Sequence, residues 1–159
     1  MTTAPTRPDP ASALPFDLTD PASYRCWADE QVRFNDLDPV GHANNNAIGV
    51  YFESGRLGMH AAMAPQVNLA GHAVVLRQIS IDFLAEVTFP NRLRIGSRVI
   101  RVGRTSWVTG AGLFIGDRCH ATSTCVSVLI NTTSRSAVPL PDPLRAVLAL
   151  DAGFAHEVA

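Results

Sequence analysis

No apolar run in this chain approaches the roughly 20 residues that a membrane-spanning helix needs, and no basic excess marks it for nucleic acid. Lysine and arginine together number 13 and aspartate and glutamate 14, a formal net charge of −1. Nucleic-acid binding normally demands a basic face, and a polybasic membrane anchor demands a basic cluster. Cysteine is scarce as well. Cys26, Cys119 and Cys125 are odd in number and lack paired spacing, which argues against a disulfide framework or a zinc site and for buried reduced thiols. The opening residues, MTTAPTRPDP, contain neither the charged n-region nor the apolar h-region of a secretory signal. The expectation is a soluble cytoplasmic protein without nucleic-acid or membrane partners.

What is present suits one domain. The 159 residues are 47% apolar, enough for a core and far from a disordered composition. Residues 1–22 carry Pro5, Pro8, Pro10, Pro15 and Pro21 among small polar residues, which reads as a flexible extended arm without its own core. Residues 23–150 form the expected single domain and 151–159 a tail. Within the domain, Trp27 to Phe34 reads as a first strand, with Val32 and Phe34 on one face. The stretch Asn35 to Asn45 is dense in turn residues, and Asn44 or Asn45 suits a helix N-cap. A helix is predicted from about Asn46 to Met63. Its apolar stripe is Ile48, Tyr51, Phe52, Gly55, Met59 and Ala62, with Asn46, Glu53, Arg56 and His60 on the other face. Gly49, Gly55 and Gly58 each cost a helix interior about 1 kcal/mol relative to alanine, so the helix is expected to press closely against a sheet. Pro65 ends it.

The period then changes to two. His72 to Val87, Leu93 to Val102, Trp107 to Ile115 and Arg118 to Asn131 read as strands. Gly103-Arg104 and Gly116-Asp117 are turns between them. Leu144 to Leu150 is a short apolar, helical stretch. One long helix followed by antiparallel strands is an α+β arrangement. Its free edges and uncovered face call for a second subunit.

The chemistry belongs to the polar loop that enters the helix. A helix N-terminus offers free N–H groups and the positive dipole end, suited to a developing oxyanion. A carboxylate just before it can attack a carbonyl or activate water. Asp36 and Asp38 are the two available. The run Arg33-Phe34-Asn35-Asp36-Leu37-Asp38-Pro39-Val40-Gly41-His42-Ala43-Asn44-Asn45, followed by Tyr51-Phe52-Glu53-Ser54-Gly55-Arg56, resembles the signature of the 4-hydroxybenzoyl-CoA thioesterase family. Ile81-Asp82-Phe83, Gly103–Ser106 and Pro139-Leu140-Pro141 agree with it, and the resemblance covers about residues 27 to 148.

The resemblance implies a hotdog fold, in which a curved antiparallel sheet of about five strands wraps one long helix. It further implies hydrolysis of acyl-CoA thioesters, and active sites at the interface of a homodimer or homotetramer. Asp38 is then the catalytic carboxylate, and the Asn45 backbone N–H binds the thioester oxygen. His42, Asn46 and Ile48 are candidate substrate contacts. Many family members carry an aromatic residue where this chain has Ile48, so the acyl preference is left open. Asp36 is better read as a turn cap, and Glu53 with Arg56 as a structural ion pair one turn apart. His42 serves equally as a substrate contact or as a structural residue of the loop. No spacing among Asp36, Asp38 and His42 suggests a metal, and no cofactor is expected. Two rivals remain open: a hotdog hydratase or dehydratase using Asp38 and His42 as acid and base, and a non-catalytic acyl-CoA binding module.

Overall fold

The computed structural model describes residues 16–153. It contains five strands, β1 (Cys26–Gln31), β2 (His72–Phe83), β3 (Arg92–Val102), β4 (Ser106–Ile115) and β5 (Arg118–Asn131), and two helices, α1 (Asn45–Met63) and α2 (Asp142–Gly153). The strands form one antiparallel sheet in the order β1-β3-β4-β5-β2. Strands β3, β4 and β5 follow one another through tight turns and lie side by side. β2 precedes them in the chain but pairs at the far edge, with β5. The long helix lies on the curved sheet, which is the hotdog architecture.

Asn44 caps α1: its side-chain oxygen accepts from Ala47 N at 3.0 Å, satisfying one of the orphan N–H groups of the first turn. Pro65, in the 3-10 turn that follows, ends it. The buried stripe is Ala47, Ile48, Tyr51, Phe52, Gly55, Arg56 and Met59. Each large apolar side chain in it contributes roughly 1.5–3 kcal/mol by leaving water. Gly55 accounts for the close approach to the sheet. A Cβ there would overlap Ile95 Cγ2 and come within 3.0 Å of Ser97 Oγ. Gly49 has no such reason, since nothing lies within 4 Å of its absent Cβ.

Several expectations need correction. The first strand stops at Gln31, and Phe34–Asp36 is a 3-10 turn, because Asp36 draws the backbone of Arg33 back onto its carboxylate. Val32 is therefore buried while Phe34 is 74% exposed; they do not share a face. β2 ends at Phe83, short of Val87, because Leu84 N and Ala85 N both donate to His120 O and bend the chain there. Ala62 is exposed. Arg56 turns to the core side at 8% exposure, its guanidinium 3.7 Å from Glu53. A long side chain can bury its stem and keep a polar partner for its head. The C-terminal helix runs on to Gly153, and the Asp151 carboxylate accepts from Val99 N at 2.5 Å.

Residues 1–15 of the expected arm lie outside the described residues. Phe16 to Tyr24 packs on the sheet. Leu18 is buried with Tyr24 and Phe114, and the Tyr24 hydroxyl donates to Leu18 O at 2.7 Å. On the opposite face, α1 packs against β1, β3 and β4. Ile79, Cys125, Thr109 and Val99 stand in one row across the sheet. The β2 end of that face is open: Leu76, Ile79 and Phe83 are 44%, 38% and 53% exposed.

Candidate active site

The loop from Arg33 to Asn44 is built on its two aspartates. Asp36 Oδ2 accepts from Arg33 N at 2.8 Å, Arg33 Nε at 3.1 Å and the Tyr51 hydroxyl at 2.5 Å. Burial pulls the Asp36 pKa up, but Tyr51 and the two Arg33 donors outweigh it, so the carboxyl sits below its ordinary value. Burial, then Asp36, push the Tyr51 phenol well above its usual range. The carbonyl of Asp36 accepts from Asn44 N at 2.8 Å and Asn44 Nδ2 at 2.7 Å. Asp36 thus ties the first turn, the helix cap and the helix body into one unit.

Asp38 sits at the tip of that unit. Its Oδ1 accepts from Val40 N at 2.9 Å and His42 N at 3.1 Å, the local side-chain-to-backbone pattern aspartate favours in turns. Gly41, at φ +85°, supplies the left-handed residue that closes the loop. Asp38 N then donates to His42 O at 2.8 Å. The second oxygen, Oδ2, has no hydrogen-bond partner among the described residues.

The segment after β2 lies alongside. Ala43 N donates to Val87 O at 2.7 Å, and His42 forms a bridge with Thr88. His42 Nε2 stands 3.3 Å from Glu86 Oε2, an ion pair when the imidazole is charged. On the other side of that segment, His120 Nδ1 lies 2.6 Å from Glu86 O.

Between these elements is an open cleft of about 310 Å³. Asp38, His42, Asn45 and Ile48 line it from the loop and helix, and Phe83, Leu84, Glu86, Val87 and His120 from the sheet side. Asn45 is the first residue of α1, so its N–H has no intrahelical acceptor and stands at the positive end of the helix dipole. Of the residues singled out in the sequence, the fold brings Asp38, His42, Asn45 and Ile48 to one cleft. Asn46 is exposed and does not line it. Arg104 is at a distant turn, where its carbonyl accepts from Arg145 Nη2 at 3.2 Å.

Glu86 and His120 were not found from the sequence. Leu84 to Val87 carries no turn signal, so Glu86 read as one more strand residue. The only signal at His120 is a lone histidine among small residues near the start of a strand. Among the described residues no group of three or more His, Cys, Asp or Glu side chains is placed to hold a metal ion. No helix among them is long and apolar enough to cross a membrane.

Solved structures with this fold are similar to the chain over most of its length. A thioesterase superfamily protein from Jannaschia sp. CCS1 is 28% identical with a TM-score of 0.75, covering 84% of this chain and 86% of its own. A thioesterase from Thermus thermophilus, complexed with coenzyme A and zinc, is 26% identical with a TM-score of 0.70, covering 79% of this chain and 98% of its own. A 1,4-dihydroxy-2-naphthoyl-CoA thioesterase from Synechocystis shares the fold at 19% identity and a TM-score of 0.68, covering 77% of this chain and 94% of its own. No curated protein matches the chain by sequence. The family model of the thioesterase-like superfamily matches residues 32–148, from the end of β1 into α2. The chain therefore belongs to the thioesterase-like superfamily and is a thioester hydrolase.

Proposed function

We propose that the enzyme hydrolyses acyl-CoA thioesters to free acid and CoA, with Asp38 as nucleophile or general base and the Asn45 backbone N–H as the oxyanion donor. The carrying observation is that a carboxylate with one oxygen held by two backbone N–H groups and the other free shares a cleft with the start of α1. The held oxygen fixes the carboxylate plane; the free one is available to the thioester carbon or to a water beside it. Charge that develops on the carbonyl oxygen meets the dipole end and the Asn45 N–H. The bound coenzyme A of the Thermus relative supports a CoA thioester as the substrate. Ile48 with Phe83, Leu84 and Val87 offers apolar wall to the acyl group.

His42 is held by its own backbone and faces Glu86 rather than Asp38. That pairing supports hydrolysis over a hydratase, which would need His42 and Asp38 as partners. A panel of acyl-CoAs assayed for free thiol, with enoyl absorbance followed in parallel, tests the reading. Thiol release without loss of enoyl absorbance is expected. Loss of enoyl absorbance without thiol would establish a hydratase, and no turnover of any thioester would leave a binding module.

A further inference from the structure

The Asp38 loop is a small hairpin. Leu37 and Ala43 form a bridge at its base, Asp38 N donates to His42 O at 2.8 Å, and Gly41 turns the tip. His42 N in turn donates to Asp38 Oδ1 at 3.1 Å. His42 therefore holds both the backbone and the carboxylate of Asp38, and a shift of His42 carries the free Oδ2 with it.

What fixes His42 comes from outside the hairpin. Its Nε2 stands 3.3 Å from Glu86 Oε2. Beside a carboxylate that nitrogen carries the hydrogen, whether the ring is neutral or charged. Among the described residues, Glu86 is the one side chain outside the loop to bond its Asp38–His42 half. Glu86 is itself anchored. Its carbonyl can only accept, and it does so from the ring of His120 on β5 at 2.6 Å. Leu84 N and Ala85 N donate to His120 O at 2.9 and 3.0 Å. A continuous set of bonds thus runs from β5 through Glu86 and His42 to Asp38.

The backbone pairing of His42 with Thr88 and the bond from Ala43 N to Val87 O lay the hairpin beside this segment. Paired backbones hold a position but can twist about the line they share. Side chains stand out of the plane of paired extended segments, so the Glu86–His42 contact braces the hairpin against that twist. The two side chains are 72% and 32% exposed. Exposed pairs contribute little to folding, whereas an error of about 1 Å in a reacting group can cost about 10²-fold in rate.

We infer, resting on the catalytic reading of Asp38 above, that Glu86 is a positioning residue: through His42 it sets the angle of the hairpin and so the aim of Asp38 Oδ2 at the thioester carbon. His42 belongs to the same brace and does not act on the substrate.

The test is a cycle of Glu86→Ala, His42→Ala and the double variant. Thiol release from an acyl-CoA that the wild type hydrolyses gives kcat and KM, and thermal denaturation checks folding. Each single variant should lower kcat about tenfold with KM changed by less than about twofold. The double variant should be no slower than the slower single variant, because each removes the same brace. Glu86→Gln keeps an oxygen that accepts from Nε2–H and should recover part of the loss. In an Asp38→Asn background, Glu86→Ala should lower kcat no further. A loss confined to KM would place Glu86 or His42 on the substrate and overturn the inference. Additive losses in the double variant, a Gln variant no faster than the Ala variant, or unchanged kcat in folded Glu86→Ala would also overturn it, while the thioesterase reading stands on the thiol released. Near wild-type kcat in Asp38→Asn overturns the catalytic reading and the inference together.

Discussion

Asp36 and Asp38 stand two residues apart, and the loop uses them differently. Every hydrogen bond of the Asp36 side chain is spent on the fold, whereas Asp38 keeps one oxygen free beside the cleft. Asp38→Asn should lower kcat by about 10²–10⁴ while leaving the fold and acyl-CoA binding intact. A purified variant with near wild-type kcat would remove Asp38 from the chemistry. Asn45 contributes a backbone group, so Asn45→Ala should be mild. Asn45→Pro deletes the donor at a position where proline is tolerated by a helix, and should cost about 10²–10³ in kcat. Equal activity in the two folded variants would show that this N–H is not the oxyanion donor. Asp36 carries a pH dependence. Its folded pKa is lowered, so the unfolded chain binds its proton first. The stabilisation is present above the ordinary aspartate value of about 3.9 and is lost as pH falls through the lower folded value. Denaturant titrations from pH 6 down to pH 2 should show the wild type losing more stability on acidification than Asp36→Asn; parallel curves would contradict this.

At the level of elements, α1 carries two kinds of glycine that look alike in the sequence. Gly55 is required by the nearness of Ile95, and Gly49 has open space where a side chain would be. Gly55→Ala should destabilise by about 1–3 kcal/mol through overpacking, despite alanine's better helix propensity. Gly49→Ala should stabilise by about 0.5–1 kcal/mol. Chemical denaturation of both variants checks the pair, and the same sign for both would be the failing result. The helix itself was legible from its period of apolar residues and the asparagines before it, and β5 from its hairpin turn to Asn131. The end of β2 was not. Leu84 to Val87 continues an apolar run, and only the two bonds to His120 O show that it leaves the strand. Arg56 differs for a related reason: its charge points to the solvent face, and the Glu53 pairing one turn away, legible in the sequence, does not reveal that the rest of the side chain is buried, which the fold decides.

For the whole molecule, β2 is a 12-residue edge strand with Leu76, Ile79 and Phe83 exposed on the helix side of the sheet. Unpaired edges and apolar patches of this kind favour association. A homodimer or larger assembly is expected, and sedimentation at micromolar concentration showing only a 17.1 kDa species would refute it. Ile79→Lys should shift the equilibrium toward that monomer. Phe83 also lines the cleft, so activity should fall with the assembly. The amino-acid sequence by itself determined the helix, the strand set, the carboxylate loop and the family resemblance. These rest on periodicity, turn residues and a motif, all read within a few residues of one another. Only the tertiary structure decided that β2 crosses to pair with β5 and that Asn46 stays outside the cleft. It also decided that Glu86 and His120, 34 positions apart, complete that cleft. Sheet register and the burial of a polar side chain are set by contacts between distant segments, and no local pattern in the chain specifies which distant partner a residue will meet.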